Sequence, residues 1–199
     1  MNKFFQSLIF ISVQLGINCF AATALPDEVR RIKGDINFDG VADDVYVNSG
    51  NDDGKRSLYI SFNDKKLNGS KVIIYKNFIP VATEQYQTEP LVLLEISNKG
   101  ILKIGLEYFL SAGSWDTHEC KYSFKLVDNR LMLVGFDKLE ISRNTGDYEE
   151  RSFNFITKKT KIVFGSHQKN SRLEKWSNIN NSKDIYIDDI VSPILCEIN

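Results

Sequence analysis

Cys120-Lys121-Tyr122-Ser123-Phe124-Lys125-Leu126, followed by Asp128-Asn129-Arg130 and Leu131-Met132-Leu133-Val134-Gly135-Phe136, is the stretch that decides the fold class. In the first run apolar and polar residues alternate with period two, so an extended chain presents one apolar face and one wet face. Asp128 and Asn129 then reverse the chain, since both residue types tolerate turn conformations that most side chains avoid. The second run returns, and the whole reads as a β-hairpin.

The same grammar extends outward in both directions. Upstream lie Val45-Tyr46-Val47, the alternating Ser57–Phe62, Val72–Tyr75, Leu91–Ile96 and Ile101–Phe109, punctuated at Asn48–Gly54, Asn63-Asp64, Asn68-Gly69 and Asn98-Lys99-Gly100. Downstream, beyond the turn at Asn144–Asp147, Arg151–Ile156 and Lys161–Phe164 flank another polar turn. Roughly eight to ten short strands at near-regular spacing, with no helical period between them, predict an all-β or β-dominated single domain. An antiparallel meander, a sandwich and a barrel-like sheet all satisfy that spacing. Ile79 to Pro90 reads as a loop. Residues 165–184 read as a polar connection with a helical turn around Leu173-Glu174-Lys175-Trp176. The tail Ile185–Val191 is apolar enough to pack back onto the body.

The first 24 residues have a different character. Lys3 supplies a positive start, an apolar run from Phe4 fades after Leu15, and Ala22-Thr23-Ala24 has the small-x-small pattern of a cleavage site. Residues 1–24 are expected to be a signal peptide, leaving 25–199 as the mature domain in the periplasm or outside the cell. The run is too short and too interrupted, by Gln6 and Gln14, to favour a membrane span. Cys19, preceded by Gly16-Ile17-Asn18, is a poor lipid-attachment site. Nothing downstream is long and apolar enough to span. Without Lys3, 24 basic residues face 26 acidic ones, a net charge of −2. Such a balance offers no electrostatic case for nucleic acid or an anionic membrane.

Removal of Cys19 leaves Cys120 and Cys196. In an oxidising compartment an isolated pair is expected to form a disulfide, with two buried thiols as the alternative. The bond would tie the tail to the middle of the chain.

One segment carries chemistry. Gly34-Asp35-Ile36-Asn37-Phe38-Asp39-Gly40-Val41-Ala42-Asp43-Asp44 repeats oxygen side chains at Asp35, Asn37, Asp39 and Asp43, with Gly40 after the third. Calcium is a hard cation that takes about six to eight oxygens at roughly 2.4 Å. Alternate residues turn inward, Gly40 permits the reversal, and Val41 adds its carbonyl. The alternative is an Asp/Asn turn held by side-chain-to-backbone bonds alone. The loop at 35–44 starts like an EF-hand, but Tyr46 stands where that family needs a bidentate Glu. It more closely resembles the Asp-x-Asn-x-Asp-Gly-x-x-Asp loop of FG-GAP or VCBS-type repeats, which implies a structural calcium ion held by Asp35, Asn37, Asp39, Val41 and Asp43. The resemblance covers about eleven of 199 residues and occurs once, so it implies the metal loop and not a propeller. Gly113-Ser114-Trp115, Gly135-Phe136-Asp137 and Ser152–Thr157 also resemble segments of exported bacterial proteins that begin with the same loop; that likeness implies no activity.

Other candidates are weaker. Trp115-Asp116-Thr117-His118-Glu119 places acid–base residues in an expected turn, and an indole at Trp115 would make a contact anchor. Trp115, Asp116 and His118 are the candidate contact surface. Asp52-Asp53 reads as a turn and Asp188-Asp189 as a strand edge. The chain has two histidines and no nucleophile elbow, zinc-protease, phosphate-loop or dinucleotide fingerprint. The expected function is therefore binding of an envelope protein, as an inhibitor or immunity-type partner, or of a glycan. The alternatives are an envelope-polymer hydrolase using Asp116, His118 and Glu119, and a structural envelope component.

Overall fold

The computed structural model describes residues 28–50, 54–63, 71–81, 88–109, 115–180, 183–190 and 196. The expected signal peptide, Cys19, Asp52-Asp53 and Gly113-Ser114 lie outside the described residues.

Among the described residues eleven strands form two antiparallel meanders, and within each sheet every strand pairs with its neighbours in sequence. The four-stranded sheet comprises β1 (Glu28–Gly34), β2 (Asp43–Asn48), β3 (Lys55–Phe62) and β4 (Lys71–Pro80). The seven-stranded sheet comprises β5 (Leu91–Ile96), β6 (Ile101–Phe109), β7 (Asp116–Val127), β8 (Arg130–Ser142), β9 (Asp147–Asn154), β10 (Lys159–Ser166) and β11 (Ser171–Asn178). Neither closes into a barrel, so of the expected all-β arrangements two stacked meanders are the one observed. Among the described residues no helix is long and apolar enough to cross a membrane.

The hairpin read first is β7–β8. Its turn residues Asp128 and Asn129 have φ of 49° and 61°, the left-handed pair that matches the twist of the flanking strands. The other predicted hairpin turn, Asn98–Gly100, joins β5 to β6, with the Gly100 N–H donating to the Ser97 carbonyl at 2.9 Å.

The core lies between the sheets. From the small sheet come Val45, Val47, Leu58, Ile60, Phe62 and Tyr75; from the large one Leu102, Ile104, Leu106, Tyr122, Phe124, Leu133 and Phe136. Phe78 of β4 meets the rings of Tyr122 and Phe124 edge-on, at 5.7 and 5.9 Å. Each such side chain withdrawn from water contributes about 1.5–3 kcal/mol before the entropy of ordering is counted. Asn77, with φ of 60°, adjoins the register shift between β3 and β4, and beyond it Phe78 and Ile79 are both buried.

Several expectations are corrected. The expected polar connection at 165–184 is largely strand over its described residues: Gly165 and Ser166 close β10, His167–Asn170 turn, and Ser171–Asn178 is a strand. The expected helical turn at Leu173–Trp176 is absent, because Leu173 pairs with Phe164 and Trp176 with Lys161, on opposite faces of β11. β11 is exposed along its whole length, so it shows none of the alternation that a buried face imposes. Ile79 and Pro80 belong to β4 instead of a loop. Asp188 and Asp189 sit in a short 3-10 turn, Ile187–Asp189, instead of at a strand edge. The tail does pack back: Ile187 and Ile190 are buried, and Tyr186 bridges to Met132 of β8. Cys196 is paired with Cys120 of β7 at disulfide distance, with Cα atoms 5.6 Å apart.

Candidate metal centre and contact surface

Residues 35–42 connect β1 to β2, and Asp43 is the first residue of β2. The strand pairing brings Gly34 opposite Asp43, so the ends of the loop are held together whatever fills it. Phe38 and Gly40 adopt positive φ, 61° and 81°, and curl the chain. Two contacts fasten the loop to the large sheet. A Cβ on Gly34 would lie 2.9 Å from the Ile96 Cβ, and one on Gly100 would lie 2.6 Å from the Phe38 ring.

The oxygen side chains turn inward. Asp35 accepts the N–H groups of Asp39 and Gly40 at 3.1 and 2.9 Å, Asn37 Oδ1 that of Asp39 at 3.1 Å, and Asp39 Oδ1 that of Val41 at 2.7 Å. Each carboxylate oxygen has a second lone pair, so these bonds orient the donors without using them up. Asp43 is fully buried. Its oxygens accept the N–H groups of Ile36 at 3.2 Å and Asn63 at 3.0 Å. Burial pushes the Asp43 carboxyl above its ordinary range, and the nearby charges of Asp39 and Asp35 add to the rise, which the two N–H donors only partly offset.

Among the described residues, no group of three or more acidic, His or Cys side chains converges on one point. The donor set is nonetheless the hard-oxygen kind that suits calcium. Asp44, next in sequence, faces a different environment. Burial works to raise its pKa, but Arg31, Asn63 and Lys33 outweigh this and hold it below the ordinary range.

Asn63 was not singled out by sequence. Besides its backbone bond to Asp43, its side-chain nitrogen donates to the Ala42 carbonyl at 2.8 Å and to Asp44 at 3.2 Å. It stands twenty residues from Asp43, at the end of β3, and only its place in the Asn63-Asp64 punctuation hinted at a role.

The expected turn at Asp116–Glu119 is the start of β7. Strand alternation puts Asp116 and His118 on one face and Glu119 on the other, so the three do not share a cleft. His118 Nδ1 lies 3.5 Å from a carboxylate oxygen of Glu140 on the adjacent strand. Trp115 is 64% exposed just before the strand. Its carbonyl accepts the backbone N–H and the side-chain Nε of Arg143, at 2.8 and 3.1 Å. The Arg143 guanidinium lies over the Phe109 ring at 4.2 Å. At the candidate contact residues an exposed indole thus stands beside a cation that holds its backbone carbonyl.

Comparisons with protein-family models, curated proteins and solved structures found no match for this chain.

Proposed function

We propose that this protein is an exported, calcium-stabilised β domain that works by binding, in the periplasm or outside the cell, with an envelope protein or a glycan as its partner. The observation that carries the metal reading is Asp43: a fully buried carboxylate beside Asp35 and Asp39, without an ion-pair partner among the described residues. A divalent ion among these oxygens would offset their mutual repulsion, with Asn37 and the Val41 carbonyl adding neutral donors. The ion would fasten the β1–β2 connection against the β5–β6 turn, a structural task.

Export is supported by the three-part pattern of residues 1–24 and by the cysteine pair at disulfide distance. Binding is supported over hydrolysis by the separation of Glu119 from Asp116 and His118 across the two faces of β7. The test is thermal unfolding of the protein in calcium and in excess chelator, together with calorimetric titration of calcium. A higher midpoint in calcium, lost in Asp39→Asn, is expected. Identical midpoints in calcium and chelator would remove the metal from the account.

A further inference from the structure

The register of the seven-stranded sheet aligns Lys121, Asp137, Ser152, Lys161 and Trp176 in one row across β7 to β11. Two residues along each strand, the next row on the same face holds Ser123, Gly135, Asn154, Lys159 and Asn178. The row between them, with Tyr122, Phe136 and Phe153, points to the core side. The two polar rows therefore lie on the outer face, away from the four-stranded sheet. Gly135 leaves a gap in the second row, and a cavity of about 380 Å³ opens there, bounded by Asp137, Asn154, Lys159, Lys161 and Trp176. That volume falls within the range of small-ligand sites, about 300–1,000 Å³.

Trp176 stands at the edge of this trough with 64% of its surface exposed. The ring is held in place: its Nε1 donates to Glu174 at 2.5 Å, and the Lys161 ammonium lies 5.8 Å from its centroid. Lys121 answers the Asp137 carboxylate at 3.4 Å. Lys159 and Lys161 have no carboxylate partner among the described residues. The trough thus combines a flat aromatic face, a row of hydroxyl, amide and carboxylate groups, and two ammonium groups without a carboxylate partner among the described residues.

We propose that this trough binds a negatively charged saccharide. A pyranose has an apolar C–H face, which suits the indole, and a rim of hydroxyls, which suits Asn154, Ser152 and Asp137. Its acidic substituent meets Lys159 and Lys161 in charge-assisted hydrogen bonds. An apolar peptide would strand these polar groups without partners. A nucleic acid presents a run of phosphates that needs many cations along it, and the unpaired ammonium groups bounding this trough are the two of Lys159 and Lys161. The proposal deepens the reading of this protein as a binding domain and is independent of the calcium loop.

Calorimetric titration of the protein with trigalacturonate, sulfated maltotriose and unmodified maltotriose tests it. Saturable binding of at least one acidic trimer, at least about tenfold tighter than the neutral one, is expected. The two acidic probes distinguish a carboxylate from a sulfate. Trp176→Ala abolishes this binding, and Lys161→Gln weakens it about tenfold. Both Trp176 and Lys161 lie on the solvent side of the sheet, so unchanged thermal midpoints verify that the variants fold. No saturable binding, equal binding of the neutral trimer, or full binding by Trp176→Ala overturns the proposal. The calcium response of the thermal midpoint, measured on the same samples, reports on the metal loop separately.

Discussion

The hydroxyl of Tyr75, on the last strand of the small sheet, accepts the backbone N–H of Leu131 on β8 at 3.2 Å, across the buried interface. It is a polar bond joining the two layers across the core. β9 does not reach this end of β8, where its register begins at Gly135; the tail bridges to the neighbouring Met132, and Tyr75 takes the Leu131 N–H. Tyr75→Phe removes the acceptor and leaves a buried donor unsatisfied, which costs about 1–3 kcal/mol. Urea unfolding at neutral pH measures this; a loss below about 0.3 kcal/mol would mean that the bond contributes nothing to joining the layers.

Arg56 occupies an inward position of β3 and is only 5% exposed. Glu89 meets it with both oxygens, at 2.5 and 2.9 Å. Removing the acid while the guanidinium stays buried is the costly direction, so Glu89→Gln is expected to destabilise the protein by about 2 kcal/mol at pH 7.

The same pair sets an acid dependence. Burial works to raise the Glu89 pKa, but the Arg56 hydrogen bond, the Leu91 N–H and the Arg56 charge outweigh it and hold the carboxyl below its ordinary range. A lowered pKa in the folded state means that the unfolded chain takes up the proton more readily. The contribution is full above the ordinary glutamate value near 4.3 and fades as pH falls through the lowered one. Unfolding of the wild type and Glu89→Gln followed from pH 7 to pH 3 is expected to show their difference shrinking at the acid end. A constant gap would contradict this.

Cys120 and Cys196 are 76 residues apart in sequence, and their link ties the tail to the centre of the large sheet. Cys196→Ser is expected to cost about 2–4 kcal/mol, mostly through the freedom returned to the unfolded chain. Reductant should lower the thermal midpoint of the wild type toward that of the variant and leave the variant unmoved.

Gly100 combines a φ of 64° with the Phe38 ring at 2.6 Å from where a Cβ would stand. Gly100→Ala must therefore strain the β5–β6 turn or expel Phe38 from it. A loss of about 1–3 kcal/mol is expected, together with weaker binding of the proposed calcium ion, since Phe38 lies within the loop. Unchanged calcium titration in this variant would show that the turn does not support the loop.

The interior strands were readable because each has one face against the core and one toward water. Cys120–Leu126 and Ser57–Phe62 write that asymmetry directly into their residues, and the turns at Asp128-Asn129 and Asn98–Gly100 are local chemistry. Both strands that escaped the reading, β1 and β11, are sheet edges. The exposed Glu28–Arg31 and Ser171–Asn178 carry no buried stripe, and Leu173 and Trp176, three apart, imitate a helical spacing. A strand without a buried face leaves no period-two trace; only its hydrogen-bonded neighbour identifies it. The oxygen spacing of Asp35, Asn37, Asp39 and Asp43 is likewise local and visible in one line of residues. Asn63 under Asp43, Glu89 beside Arg56, Glu119 on the far side of the strand from His118, and the row from Lys121 to Trp176 depend on the pairing of distant strands. Contacts of that kind are set by register and by which face meets the core, and a linear pattern holds neither.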